Sequence, residues 1–298
     1  MQERPGLREL TTLIGLSLIW GTSYVLIKWG LEVFTARQVA VLRLGISSLA
    51  LAPLAVTHLR RVSRRQLPLL ILVGLTGTAL PSFLFPLAQQ HLSSSLTGML
   101  SGLTPLCTFL VAWLVFGNRP VRQQLAGIGL GLVGAAWLAY VAPGQSGQTT
   151  QFAYAGLILL AGCCYGLSSN LVAHYFRGLP SLTITVVSFF LVGLPALLYA
   201  VTLGGVIETV QGDPDSVGTG WRALGYVAIL ALGSTVLASL VFFRLVQRTG
   251  AVFASTVSYL IPVVALGWGL VDGEAFSSWQ LPAIALVLVG IFLSKRKG

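Results

Sequence analysis

Basic residues gather in every second gap between the apolar stretches of this chain, and acidic residues gather in the others. One set of gaps and termini holds Arg4, Arg8, Arg60, Arg61, Arg64, Arg65, Arg119, Arg122, Arg177, Arg244, Arg248, Lys295, Arg296 and Lys297. The alternate set holds Glu32, Glu208, Asp213, Asp215, Asp272 and Glu274, with only Lys28, Arg37 and Arg222 as cations. Lys and Arg mark the cytoplasmic side of a multi-span membrane protein. The pattern therefore predicts a polytopic protein of the bacterial inner membrane with both termini in the cytoplasm.

Composition points the same way. Apolar residues make up 55% of the 298 and charged residues 9%, against roughly 25% charged in soluble domains. Lipid must then be the solvent for most of the surface. The net charge of +10 does not point to nucleic acid, because the basic residues sit between spans and form no single stripe. Cys107, Cys163 and Cys164 lie in apolar runs without metal-ligand spacing, and His58, His91 and His174 are scattered. No metal and no cofactor is expected from them. No cleavage-site pattern follows the first apolar run, which reads as a first helix.

A helix needs about 20 mostly apolar residues to cross a bilayer. Spans are expected near Leu10–Ile27, Val39–Thr57, Leu67–Leu87, Leu92–Phe116, Leu125–Val141, Ala153–Ala173, Leu182–Leu203, Leu224–Phe243, Ala251–Val271 and Trp279–Ser294. The expected fold is an all-α integral membrane protein of ten transmembrane helices. Short loops force sequence neighbours to pack antiparallel. The gap that holds Glu208, Asp213 and Asp215 reads as an exposed loop.

The two halves of the chain align. Phe85 through Pro105 match Phe242 through Pro262 at a constant spacing of 157 residues, with Gln90 opposite Gln247. Beyond one gap, Gly117-Asn118 matches Gly273-Glu274, Gln124-Leu125 matches Gln280-Leu281, and Gly134 matches Gly290. Trp20-Gly21-Thr22-Ser23 pairs with Tyr165-Gly166-Leu167-Ser168. Two repeats of five helices follow, over 1–145 and 146–298. Five is odd, so the second repeat enters the membrane inverted. Inverted repeats suit a carrier whose halves rock about a midplane site.

These motifs, in this order, resemble the drug/metabolite transporter superfamily and its EamA-like branch of ten-helix proteins. The resemblance rests on Ile19-Trp20-Gly21-Thr22-Ser23, on Arg43, on Leu103-Thr104-Pro105 with Gly117, and on Gln124-Leu125-Ala126-Gly127. Tyr259-Leu260-Ile261-Pro262, Gly273-Glu274 and Gly290 repeat the pattern. The first turn departs from the family's Gly-Glu, since residue 118 is Asn. The resemblance implies export or exchange of small metabolites, often amino acids, without fixing which.

Arg43 is the only charge well inside an expected span, where an unpaired charge costs at least about 2.5 kcal/mol. It either anchors a substrate carboxylate or serves structure, snorkelling outward or pairing with Glu32 or a carbonyl. Trp20, Ser23 and Tyr24 share one helix face, as do Tyr165, Ser168 and Ser169. Such faces suit either a cavity for amphipathic solutes or Ser-mediated helix packing. Pro105 and Pro262 are expected to kink their helices, and Ser101, Thr104, Ser258 and Tyr259 beside them are further lining candidates. Gln89, Gln90 and Gln247 read as interfacial. Gly127, Gly131 and Gly134 read as a close-packing face.

No Asp or Glu lies in the core of any expected span, which argues against a buried carboxylate proton relay. No phosphate-binding loop is present, so ATP is not the energy source. The expected function is a secondary transporter of small uncharged or zwitterionic metabolites, exporting them by alternating access. Alternatives are another solute class (nucleoside, sugar or drug-like compound), an intramembrane enzyme, or a channel. The expected partners are a small metabolite and the lipid bilayer, with no nucleic acid, and the working unit is expected to be a monomer.

Overall fold

The computed structural model of the chain describes residues 7–118, 121–143, 148–202, 204–211 and 217–295. No strand occurs among the described residues. The helices are α1 (Leu7–Leu31), α2 (Ala36–Leu59), α3 (Leu67–Gln89), α4 (Ser94–Ser101), α5 (Thr104–Leu114) and α6 (Arg122–Val141). The second half supplies α7 (Gln148–Tyr175), α8 (Ser181–Thr202), α9 (Val206–Gln211), α10 (Gly218–Thr249), α11 (Ala251–Val271) and α12 (Gln280–Lys295). Among the described residues, eight are long and apolar enough to cross a membrane: α1, α2, α3, α6, α7, α8, α10 and α11.

The remaining expected spans take other forms. The stretch expected as one helix from Leu92 to Phe116 is the pair α4 and α5, bent by 41° at a break. In α12 the apolar part is the shorter segment Gln280–Gly290. The expected kink at Pro105 is present as the 41° bend, and at Pro262 the chain passes from a 3₁₀ turn into α-helix within one span. Each proline sits in the first turn of a new α-helical stretch, where its missing N–H leaves no carbonyl unserved. Before Pro262 the chain tightens into a 3₁₀ turn over Ser255–Tyr259. Residues 206–211 form the short helix α9 and not an exposed loop. Its Val206 and Val210 are buried, and Gln38 Nε2 on α2 donates to the Gly204 and Gly205 carbonyls and to Thr209 Oγ1 at 3.0–3.2 Å. Asp213 and Asp215, like Arg4, Arg119, Arg296 and Lys297, lie outside the described residues.

Helices in lipid gain nothing from hiding apolar surface from one another, so close approach through small residues sets their packing. α2 packs along α8, α4 along α11, α5 along α7, and α6 along α12. The Gly131 face of α6 meets Gly290 of α12 so closely that a Cβ at Gly290 would lie 2.5 Å from the Gly131 nitrogen. Matched sequence motifs give matched local structure. Gln124 Oε1 accepts from the Val121 N–H at 3.0 Å, and Gln280 Oε1 accepts from the Ser277 N–H at 2.9 Å. Gly117 and Gly273 take φ values of +71° and +73°, which side-chain-bearing residues avoid.

Two helices leave the α-helical register in the membrane interior. α3 widens to a π-helix over Leu75–Ala79, and α10 does so over Leu230–Leu237. The spacing of 157 residues that aligns Phe85 with Phe242 also superimposes these segments. It sets Leu75 on Leu232, Thr78 on Thr235 and Ser82 on Ser239. Isolated π segments are rare and frequently mark functional sites.

Candidate functional site: a central polar cavity

A cavity of about 70 Å³ lies where the two π segments meet α1, α4, α5, α7 and α11. Trp20, Ser23, Tyr24 and Ile27 come from α1, and Arg43 from α2. Gly77, Thr78 and Phe85 come from α3, Ser101 from α4, Thr104 from α5, and Tyr165, Ser168 and Ser169 from α7. Ser234, Thr235, Ser239, Phe242 and Phe243 on α10 complete it, with Ser255, Val257, Ser258 and Ile261 on α11. At 10–15 Å³ per water centre the space admits on the order of five waters. This conformation is therefore contracted, and a solute larger than that requires it to widen.

The structure brings ten of the sequence candidates to this wall: Trp20, Ser23, Tyr24, Arg43, Ser101, Thr104, Tyr165, Ser168, Ser169 and Ser258. Tyr259 is placed elsewhere. It ends the 3₁₀ turn and lines a separate recess with Leu288, Val289 and Phe292 of α12. Neither proline touches the cavity. Gln247, expected at an interface, donates from Nε2 to the Phe176 and Leu179 carbonyls at 2.6 Å each and closes the end of α7.

Arg43 neither snorkels nor pairs with Glu32. It is only 6% exposed, its Nε donates to Thr235 Oγ1 at 2.7 Å, and it shares the cavity wall with Tyr165. No carboxylate bridges it among the described residues. The π segments hold the wall in place. Trp20 Nε1 donates to the Ser234 carbonyl at 2.9 Å, and Ser47 Oγ donates to the Ala231 carbonyl at 3.2 Å. Ser17 Oγ does the same for Val257, in the 3₁₀ turn, at 2.7 Å. Irregular backbone at membrane depth is thus served by protein groups, as lipid requires.

The wall has three kinds of surface. Aromatic rings pack edge to face, tilted or stacked: Trp20 with Phe242 at 5.0 Å, Tyr24 with Phe85 at 5.6 Å, and Phe85 with Tyr165 at 6.0 Å, respectively. Hydroxyls form the second kind. Ser23, Ser101, Thr104 and Ser169 donate to carbonyls three or four residues back on their own helices, at 2.6–3.1 Å. Their lone pairs remain free to accept from a solute. The Arg43 guanidinium is the third kind and, among the described residues, the single charge on the wall.

One end of the bundle is tied by ions. Lys28, in the last turn of α1, bridges Asp272 and Glu274, the latter at 3.1 Å. Trp29 Nε1 donates to Asp272 Oδ1 at 2.9 Å. Glu274 accepts from the N–H groups of Ser94 and Ser95 at 2.9 Å each, and from their hydroxyls at 2.8 and 2.5 Å. Burial opposes its charge, but the Ser95, Ser94 and Lys28 donors outweigh burial and hold its carboxyl down at about 2.

Sequence reasoning missed half the wall, above all Thr78, Thr235, Ser234, Ser239 and the Phe85–Phe242 pair. The signal was present. Extending the 157-residue alignment one helix turn before Phe85 reaches Ser82–Ser239, and another reaches Thr78–Thr235.

Comparison with known proteins now adds to the geometry. The EamA-like transporter family matches the chain twice, over residues 7–140 and 153–296. The chain is 27% identical to a probable terminal-alkyne amino-acid exporter of Streptantibioticus cattleyicolor, with 93% of this chain and 90% of the relative covered. It is 26% identical to a probable amino-acid metabolite efflux pump of Salmonella typhimurium, covering 93% and 91%. A solved crystal structure shares the fold at a TM-score of 0.64 and 18% identity, over 97% of this chain and 96% of that one. These relatives are transporters and not enzymes, which removes the intramembrane-enzyme reading.

Proposed function

The chain belongs to the EamA-like transporter family, and we propose that it is a ten-span secondary transporter that exports small uncharged or zwitterionic, amino-acid-like metabolites. In this reading α4 with α5 forms the fourth span and α12 the tenth. The halves over 1–145 and 146–298 are inverted repeats, and both termini lie in the cytoplasm of the inner-membrane-bound protein. The observation that carries the proposal is the central cavity, built from both halves by residues at matching spacings. Thr78 stands to Thr235, and Phe85 to Phe242, as Ser101 stands to Ser258.

The chemistry of the wall supports the solute class. Arg43 can donate to a carboxylate, and the back-bonded hydroxyls can accept from an ammonium. The rings offer an apolar face to a side chain. A cation lacking an anionic group would meet Arg43 without a compensating carboxylate. The names of the two relatives support amino-acid-like cargo and outward direction. Alternating access about the cavity is the mechanism this reading carries, because residues of both halves line it.

The test is counterflow in proteoliposomes preloaded in turn with pooled amino acids, nucleosides and sugars. Exchange with the amino-acid pool alone is expected. Exchange only with another pool replaces the solute class, and conductance without saturable exchange replaces the carrier by a channel. Trp20→Ala and Tyr165→Ala are expected to reduce exchange per folded molecule about tenfold, the loss of roughly 1.4 kcal/mol of solute contact. Wild-type exchange in both removes the proposed wall.

A further inference from the structure

Four buried side-chain atoms have no hydrogen-bond partner among the described residues: Thr78 Oγ1, Ser82 Oγ, and both Nε2 and Oε1 of Gln89. All four lie on α3. Residues 78, 82 and 89 are spaced by four and then seven, which places them on one face of one helix, one above another. Thr78 is 2% exposed and lines the cavity, and Ser82 is fully buried one turn above it. Gln89 closes the helix, a few residues before the loop that leads to Ser94, Ser95 and the Lys28–Glu274 ion cluster. The face looks inward, since this part of α3 packs against α2 and α7.

Buried hydroxyls and amides without partners are rare and costly, and each calls for a reason. Structural hydroxyls in this bundle find one. Thr76, on the same π segment, donates to the Leu72 carbonyl at 2.7 Å, and Ser188 donates to Ile184 at 2.5 Å. Thr78, Ser82 and Gln89 had the same options and do not use them. Their file starts in the cavity and ends at the acidic end of the molecule.

We propose that Thr78, Ser82 and Gln89 line the path between the cavity and the acidic, external end, and bind the hydrogen-bonding groups of a polar, uncharged or zwitterionic solute on its way. The proposal rests on the transporter reading and adds a route and the residues that select for solutes able to donate and accept. Donor and acceptor capacity come from the same residues, since a hydroxyl and an amide each offer both. The cost of leaving them unpaired in the contracted state is recovered when solute or water reaches them. Thr78, first on the route and part of a π turn, hands the solute from the Arg43 end of the cavity to Ser82.

Two experiments test it. In the first, Ser82→Cys is placed in a chain whose Cys107, Cys163 and Cys164 are replaced by Ala. It is exposed to a membrane-impermeant methanethiosulfonate ammonium from one side of oriented vesicles at a time. Labelling from the acidic side is expected, roughly tenfold or more faster than at Ser188→Cys, which is as deeply buried but partnered. No labelling, or labelling from the basic side only, overturns the route. In the second, Thr78→Val is compared with wild type for thermal unfolding and for exchange of whichever pool the wild type counterflows. Removing an unpaired hydroxyl should leave the unfolding midpoint as high or higher, while exchange falls about fivefold or more. A lowered midpoint with unchanged exchange per folded molecule makes the hydroxyl structural and overturns the proposal. If wild-type protein exchanges nothing while the Ser82→Cys variant still labels from the acidic side, the transport reading fails and the path stands.

Discussion

α3 and α10 are built alike and finished differently. Each carries a π segment at the same place, then Thr, Ser and Phe at matching turns. On α10, Thr235 is held by Arg43. On α3, its counterpart Thr78 has no partner among the described residues, and neither do Ser82 and Gln89. One neighbouring side chain makes much of the difference. α2 and α8 correspond at a spacing of 145 residues, and where α2 has Arg43, α8 has Ser188. Ser188 is too short to act as an arm and turns back on its own helix. Two similar frames thus enclose one asymmetric cavity, with Arg43 bonded to Thr235 of α10 and an unpartnered Thr78 on α3.

The largest effect should come from removing the arm. Arg43→Met keeps the apolar volume but loses the guanidinium and its bond to Thr235. Initial counterflow rates are expected to fall about 10- to 100-fold, the equivalent of one hydrogen bond to a charge. The unfolding midpoint should not fall, since an apolar replacement spares the burial of an unbridged charge. Wild-type rates in this variant would erase the distinction between the two helices.

A second contrast, between the ends of the bundle, predicts the next effect. The turn at Gly273-Glu274 is clamped by Lys28, Ser94 and Ser95, while the matching Gly117 turn carries Asn118. Glu274→Gln is expected to cost about 2 kcal/mol of stability at neutral pH. Its folded pKa of about 2 lies below the ordinary 4.5, so the carboxylate's contribution is complete above about 4.5. It is lost as pH falls toward 2. Unfolding midpoints of wild type and Glu274→Gln, measured in that window, should therefore converge on acidification. A constant gap would show that the charge is not what the clamp uses.

The smallest effect sharpens the first comparison. Thr235→Val strips Arg43 Nε of its acceptor and should lower stability by about 1 kcal/mol. Its counterpart Thr78→Val should not. Equal losses in denaturant titrations would mean that the two π segments carry the same kind of hydroxyl after all.

Much of this architecture is legible in the sequence. Helical spacing alone puts Trp20 with Tyr24 on one face and Tyr165 with Ser168 on another, because faces of a helix repeat every three to four residues, and the tertiary structure joins the two faces in one wall. Pro105 lies at the 41° bend that the sequence anticipates, whereas Pro262 follows a 3₁₀ turn inside one span, since a sequence marks where a helix is interrupted without saying how sharply it bends. Tyr259 departs from its expected place. Ser258 lines the cavity, while Tyr259 at the end of the 3₁₀ turn meets side chains of α12 that the sequence around it does not reveal. Gln247 reads as interfacial because nothing in its neighbourhood along the chain reveals carbonyls contributed by Phe176 and Leu179.

Hydropathy, charge sorting and internal alignment by themselves determined that this is a helical membrane chain with polar and aromatic faces on matched helices, and its motifs added the resemblance to the EamA-like family. Those properties depend on segment length, loop charge and helical period, all of which act along the chain. Tertiary structure alone decided which polar groups are satisfied. Arg43 meets Thr235 across 192 residues, and Lys28 meets Glu274 across 246. Whether a hydroxyl such as Thr78 finds a partner depends on which side chain the opposing helix happens to present. In a bundle where lipid offers no hydrogen bonds, that choice separates a structural contact from a site that waits for solute.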